Sequence, residues 1–271
     1  MADADRVVVE LTDGVAEVRL NRPDKMNALD PGLFEALVAA GDRLAAEPGL
    51  RAVVLCGAGR GFCAGLDMAS FSSPDGFPAD LAGRTHGAAN GFQQVAMQWR
   101  RIPVPVLAAV HGVAFGGGFQ IMLGADIRYV APDAKLSVME IRWGIVPDMG
   151  GTVLMRALAR SDVVRELTFT GRVFSGAEAA TLGFATRVEA DPLAAARAAA
   201  RDIAARSPDA MRAAKRLLNA AEAEGEERLL LAESVEQQAL LGSANQREAV
   251  AANMAGRAPA FRDAAIGEPG R

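Results

Sequence analysis

From Ile102 to Ala125 the chain carries no charged side chain, a run long enough by count for a membrane-spanning helix of about 20 residues. Its interior forbids that. Pro103 and Pro105 stand at its start, each lacking an amide donor, His111 and Gln120 lie inside, and Gly116, Gly117 and Gly118 break it in two. The segment reads as a buried strand, a glycine turn and a buried helix. A chain of 271 residues has the room, since at this size folding buries about three quarters of the unfolded-chain surface. With 51% hydrophobic and 23% charged residues the composition is that of a globular protein and excludes a disordered or collagen-like polymer. A net charge of −4 with no long basic run argues against nucleic acid as the main partner.

Cys56 and Cys63 match no zinc or thioredoxin spacing, and a chain this large needs no disulfide staple, so a reducing cytoplasmic setting is expected. Met1 to Glu10 shows no basic-then-apolar leader pattern. Val7 to Leu11 and Val15 to Leu20, around Asp13-Gly14, predict an opening hairpin. Asp30-Pro31 gives an N-cap and a first-turn proline for an amphipathic helix that closes at Pro48-Gly49. Ala52 to Leu55, Val104 to Val110, Ile127 to Val130 and Leu136 to Val138 predict short buried strands. Ser70 to Ala89 is a polar loop suited to a lid, with Phe71, Phe77, Phe92 and Trp99 as candidate lid and pocket aromatics. From Ser175 onward helix starts recur: Ser175 with Glu178, Asp191-Pro192, Ser207-Pro208 and Ser243 with Gln246. Leu229 to Leu231 and Leu240-Leu241 are either an association surface or ordinary core.

Gly57, Gly59 and Gly61 follow a strand but fail the dinucleotide spacing, because Phe62 stands where the last glycine belongs. There is no P-loop and no G-x-S-x-G elbow, and two histidines, His86 and His111, leave little for a metal cage. His111 reads as a core histidine bonded to backbone. Two glycine turns stand out, Arg60-Gly61-Phe62-Cys63-Ala64-Gly65-Leu66-Asp67 and Gly116-Gly117-Gly118-Phe119-Gln120. Such turns either are merely tight or let a ligand reach main-chain N–H groups as an oxyanion hole. Glu140 and Asp148 flank a Gly/Pro loop and have room to converge on one pocket. Asp148 equally suits the N-cap of a helix from Gly150 to Leu158, and Glu140 suits a surface pair with Arg142 or Arg128.

Asn21-Arg22-Pro23 with Asn27-Ala28-Leu29, Phe62-x-Ala64-Gly65-x-Asp67, Val110-x-Gly112-x-Ala114-x-Gly116-Gly117-Gly118, Ala125-Asp126-Ile127 and Thr170-Gly171-Arg172 with the later Gly183 occur in this order. Together they resemble the crotonase superfamily, the enoyl-CoA hydratase/isomerase family. The resemblance implies an α/β fold, a spiral of β-β-α turns with two sheets, in which residues 1–200 form an acyl-CoA-binding core and 201–271 a helical oligomerisation region for a trimer or hexamer. It implies a CoA thioester as substrate and no cofactor or metal beyond the coenzyme A the substrate carries. Carried over residue by residue, the N–H groups of Leu66 and Gly117 hold the thioester oxygen. Backbone at Ala64, Leu66 and Met68 holds the adenine, Arg22 and Lys25 meet CoA phosphates, and Asp67, Gln120 and Trp143 complete the binding set.

The carboxylates decide the reaction. Family hydratases use two glutamates to hold and activate water; the second matches Glu140, but the first falls on Gln120, a neutral amide that exchanges no proton at working pH. Dienoyl-CoA isomerases are similar in placing an aspartate where Asp148 stands, although they carry another acid where Gln120 is. The expectation is therefore double-bond migration. Glu140, or Asp148 on a longer-reaching substrate, moves a carbon-bound proton in a pocket containing Phe119, Ile121, Met139 and Trp143. Hydration with Gln120 orienting a water, and an acyl-CoA-binding protein without turnover, are the alternatives.

Overall fold

A computed structural model describes residues 6–67, 69 and 80–264. The opening hairpin forms as expected: strand β1 (Val7–Thr12) pairs antiparallel with β2 (Val15–Leu20), with Asp13 and Gly14 both at positive φ in the turn. A short 3-10 turn (Pro23–Lys25) leads to helix α1 (Pro31–Ala45), whose N-cap Asp30 accepts from the Leu33 amide at 2.9 Å. Strand β3 (Ala52–Gly57), helix α2 (Gly91–Arg101), β4 (Val106–Val110) and β5 (Val113–Phe115) follow, then helix α3 (Gly117–Leu123), β6 (Ile127–Val130) and β7 (Lys135–Ser137). The uncharged run thus resolves into strand, second short strand, glycine turn and helix, and every residue of α3 is buried.

A 3-10 turn at Glu140–Trp143 precedes helices α4 (Gly151–Arg156) and α5 (Ser161–Thr170), strand β8 (Phe174–Ser175), helix α6 (Gly176–Leu182) and strand β9 (Arg187–Val188). Helices α7 (Pro192–Ala204), α8 (Pro208–Ala220), α9 (Glu226–Leu240) and α10 (Ala244–Ala255) complete the described chain. One sheet has the order β1-β2-β3-β4-β6-β9 and is parallel after its first pair; a second has the order β5-β7-β8.

The larger sheet is covered on both faces, which is why its strands are nearly pure apolar runs. Val53 and Leu55 face the main core with Leu33, Leu37 and Trp99, while Ala52, Val54 and Cys56 face α7 through Ala196 and Ala200. Helix α8 docks through a buried ammonium. Lys215 Nζ donates to Trp99 O (3.0 Å), Val104 O (2.8 Å) and Asp126 Oδ2 (2.7 Å), and burial pulls its pKa down. Leu230, Leu231, Val235 and Leu241 stand exposed, so the leucine runs of α9 are not ordinary core. Among the described residues no helix is long and apolar enough to cross a membrane.

The Ser175 and Ser243 hydroxyls cap their helices as expected, and Asp191 and Ser207 do the same. A complete reciprocal capping box forms at Asn90 and Gln93, opening α2. Trp99 is fully buried core; Phe71 and Phe77 lie outside the described residues, as does half of the expected lid, residues 70–79.

Candidate functional site

The first glycine turn is assembled by a buried asparagine. Asn27 sits at φ 56, and its Nδ2 donates to Ala58 O, Gly61 O and Phe62 O at 2.9, 2.9 and 3.1 Å, while Oδ1 accepts from the Arg22 amide at 2.8 Å. From there the chain is clipped on two sides. Toward β5, Phe62 N donates to His111 O, Cys63 N to Val113 O and Phe115 N to Cys63 O, all within 3.1 Å. Toward α1, Leu29 N donates to Gly65 O at 2.8 Å and Asp67 N to Leu29 O at 2.9 Å. In a parallel bridge of this kind the straddled residue, Leu66, turns its own N–H away from the partner strand.

The second turn lies against the first. Gly65, at φ +88, is so close that an added Cβ would stand 2.7 Å from Phe115 O and 3.8 Å from the Gly117 amide nitrogen. Gly117 opens α3, so its N–H is one of the donors that a helix cannot satisfy internally. Gly116, at φ 49, donates to Ser137 O at 3.0 Å. Leu66, Gly117, Glu140, Met139 and Trp143 line one cavity of about 130 Å³. Phe119 and Ile121, expected in that pocket, are fully buried in the core; Phe119 packs edge-on against Phe174 and Phe184 because it points down the opposite side of α3 from the turn.

Glu140 begins the second 3-10 turn and is only 6% exposed. The surface pair with Arg142 or Arg128 does not form: Arg128 is buried and donates to Phe184 O and Ala125 O. Instead Glu140 Oε1 accepts from Gln120 Nε2 at 2.6 Å, and Oε2 is buried with no hydrogen-bond partner among the described residues. Gly116 makes room for this carboxylate, since its missing Cβ would lie 3.2 Å from Oε1. Burial pushes the Glu140 pKa up, and the nearby Asp148 charge adds to the rise, against the opposing Gln120 hydrogen bond.

Asp148 is not the N-cap of the next helix. Gly150, at φ 88, takes the cap position of α4 without any side-chain bond, because the Gly151 amide already donates to Gln120 Oε1 at 2.9 Å, as does Met149 N at 2.9 Å. Asp148 is left on an exposed loop, and partial burial of its carboxyl raises its pKa.

Of the remaining expected contacts, Lys25 is exposed and lies near enough to Asp67 to lower its pKa. Arg22 does not present a free guanidinium for phosphate: it pairs with Asp67 and Asp30 and donates to Ala28 O. Asp67 is correspondingly committed, its carboxyl held below the usual range by Arg22. Ala64 N donates to Met26 O at 2.9 Å, and Met68 lies outside the described residues. Cys63 beside the turn is a neutral thiol, pushed up to about 12 by burial. His111 is half-buried, not core, and bonds Gly59 O at 2.9 Å. Among the described residues no group of three or more His, Cys, Asp or Glu is placed to hold a metal ion. A second, apolar cavity of about 690 Å³ meets the first at Leu66 and is walled by Leu29, Phe34, Val38, Leu81 and Phe92.

A family model described as Enoyl-CoA hydratase/isomerase matches residues 10–264. The chain belongs to the enoyl-CoA hydratase/isomerase family. Within this crotonase group it is 34% identical over 210 residues to the mitochondrial Delta(3,5)-Delta(2,4)-dienoyl-CoA isomerase of Rattus norvegicus. That match takes in 74% of this chain and 64% of the relative, so it spans less than two thirds of the relative's length. The Mycobacterium bovis protein named "Probable enoyl-CoA hydratase echA8" is 32% identical over 95% of this chain and 98% of its own. The crystal structure of an enoyl-CoA hydratase from Polaromonas sp. JS666 superposes with a TM-score of 0.85 at 26% identity, covering 94% of this chain and 99% of the other. The family fold, a mixed α/β core followed by helices, is the fold observed.

Asn27, quoted above only within the motif that carries the resemblance, holds the first glycine turn together through the carbonyls of Ala58, Gly61 and Phe62. Its signal was the left-handed Met26-Asn27 pair before an apolar helix start, visible only once φ is known.

Proposed function

We propose that this family member shifts a carbon–carbon double bond in an enoyl- or dienoyl-CoA thioester. The observation that carries the reading is that the group hydrogen-bonded to the buried Glu140 carboxylate is the Gln120 amide, so a second acid to hold and activate water is missing at that position. Glu140 and Asp148 repeat the isomerase-like pair of acids read in the sequence.

In this mechanism the thioester oxygen accepts from Leu66 N–H and Gly117 N–H. Glu140 Oε2 takes a proton from carbon, the C–H electron pair moves into the chain, and the charge rests on the thioester oxygen as a dienolate. On a 3-enoyl ester Glu140 returns the same proton to the other end of the conjugated system; on a 3,5-diene a protonated Asp148 delivers a second proton there, leaving Glu140 protonated and Asp148 ionised until a proton passes from one to the other through solvent. Each oxyanion donor contributes about 3–4 kcal/mol in systems of this kind. A carboxyl whose pKa is raised by burial both accepts and returns the proton near working pH. The Ala64 carbonyl and the Lys25 ammonium are the groups assigned to adenine and phosphate, and the exposed leucines of α9 are assigned to a homotrimeric contact.

Kinetics on matched 3-enoyl- and 3,5-dienoyl-CoA test this. Glu140→Gln should stop both reactions while CoA-ester binding survives, and Asp148→Asn should stop only the dienoyl reaction. Wild-type turnover by Glu140→Gln overturns the proposal. Hydration is the second reading, favoured by the hydratase-named relatives that match over nearly the whole chain. Solvent oxygen-18 in the product would select it.

A further inference from the structure

We infer that Gln120 is a positioning residue that ties the two candidate acids together and dedicates a single oxygen of Glu140, Oε2, to proton transfer. The inference deepens the proposed isomerase reading and rests on it. Gln120 is 1% exposed, and its orientation follows from its partners: Met149 N and Gly151 N can only donate, so the side-chain atom between them is Oε1. Nε2 must then face Glu140, whose Oε1 serves as acceptor at 2.6 Å. An acceptor held by N–H is a poor place for a proton, so the proton enters and leaves at Oε2, the oxygen with no hydrogen-bond partner among the described residues.

The same amide fixes the loop on which Asp148 immediately precedes Met149, so one side chain sets the separation of the two carboxyls. The fit is close: a Cβ on Gly151 would stand 2.6 Å from Gln120 Oε1. Glutamate at this position would satisfy the two backbone donors but set carboxylate against carboxylate at Glu140. Methionine would satisfy neither end at similar volume. The charged groups around Glu140 are few. Asp148 acts on it by repulsion; Arg142, in the same turn, is exposed; Glu166 of α5, the helix packed against the turn, pairs with Arg172 at 2.7 Å.

The test is a pH–rate profile of wild type, Gln120→Met and Gln120→Glu on the acyl-CoA that wild type turns over, with thermal unfolding in parallel. Losing the donor, or gaining a facing anion, makes Glu140 harder to ionise. Both variants should therefore show the acidic limb of kcat/KM moved to higher pH and kcat reduced by about tenfold or more, with KM nearly unchanged. Should Gln120→Met not fold, Gln120→Glu, which keeps the backbone contacts, carries the test. A purely structural role predicts lower thermal stability with the wild-type pH limb and kcat, and that result overturns the inference. If wild type adds water instead of moving the double bond, the isomerase reading falls, yet the limb of the hydration reaction still reports whether Gln120 positions Glu140.

Discussion

Replacing Gly65 by alanine is the sharpest structural perturbation of the turn proposed as half of an oxyanion hole. At φ +88 an L-residue is strained, at a cost of about 1–2 kcal/mol. The new methyl would also stand 2.7 Å from Phe115 O, where ordinary contact begins at 3.4 Å. Two backbone hydrogen bonds pin the Phe62–Asp67 segment to β5 and a third pins it to His111, so the overlap is relieved by separating the turns that carry Leu66 N–H and Gly117 N–H. Displacement approaching 1 Å at a catalytic constellation costs about 10²-fold in rate, equivalent to about 2.7 kcal/mol of transition-state stabilisation. Steady-state kinetics should show kcat/KM down by that factor, and circular dichroism a Tm lowered by about 2–8 °C. Gly242→Ala is the control, with φ +73 and nothing within 4 Å of an added Cβ, so it bears strain without displacement. If Gly65→Ala loses no more activity than Gly242→Ala, the two turns do not form one oxyanion site.

Other outcomes follow from charge. Glu140 has a folded pKa raised above its ordinary 4.5, so its ionisation destabilises the fold as pH climbs through the interval between the two values. Glu140→Gln should therefore melt above wild type at pH 8, with the gain vanishing below about pH 4 by linkage; a constant difference across pH would contradict the buried-carboxyl assignment. Asp67 has the opposite sign: Arg22 depresses its pKa below 3.8, so the pair stabilises at neutral pH and that stability is lost on acidification through the folded value. Arg22→Gln should melt below wild type at pH 7 and converge toward it as acidification protonates Asp67, and a deficit independent of pH would mean that Arg22 matters only for packing. Asp148→Asn should leave Tm within about 1–2 °C of wild type, as expected for a surface position that caps nothing; a larger fall would restore a structural role.

Much of the scaffold was legible because its signals are local. Asp13-Gly14 supplies the positive-φ turn of the hairpin, Asp30-Pro31 starts α1, and the Ile127–Val130 strand lies where its apolar run predicts. Strand β4 begins at Val106, not Val104, since Pro105 has no N–H for the ladder and contributes only its carbonyl, to Val53 N. The site was half legible. The glycine turns and Glu140 were found from pattern and resemblance, but Gln120 bonds backbone amides of Met149 and Gly151 that only the fold brings to it. That contact removed the reason for Asp148 to cap α4. Similarly, Arg22 reads as a phosphate ligand in the sequence, whereas in the fold Asp67, distant in sequence, and the nearer Asp30 take its guanidinium.

The central claim, that Glu140 beside an amide moves protons between carbons without recruiting water, is tested most directly by the mass of the product. Purified protein incubated separately with 2-enoyl-, 3-enoyl- and 3,5-dienoyl-CoA, followed by chromatography and mass spectrometry, should give chromatographically distinct products of unchanged mass from the 3-enoyl or 3,5-dienoyl ester. Gain of one water on the 2-enoyl ester, with no isomer formed from the others, would contradict it.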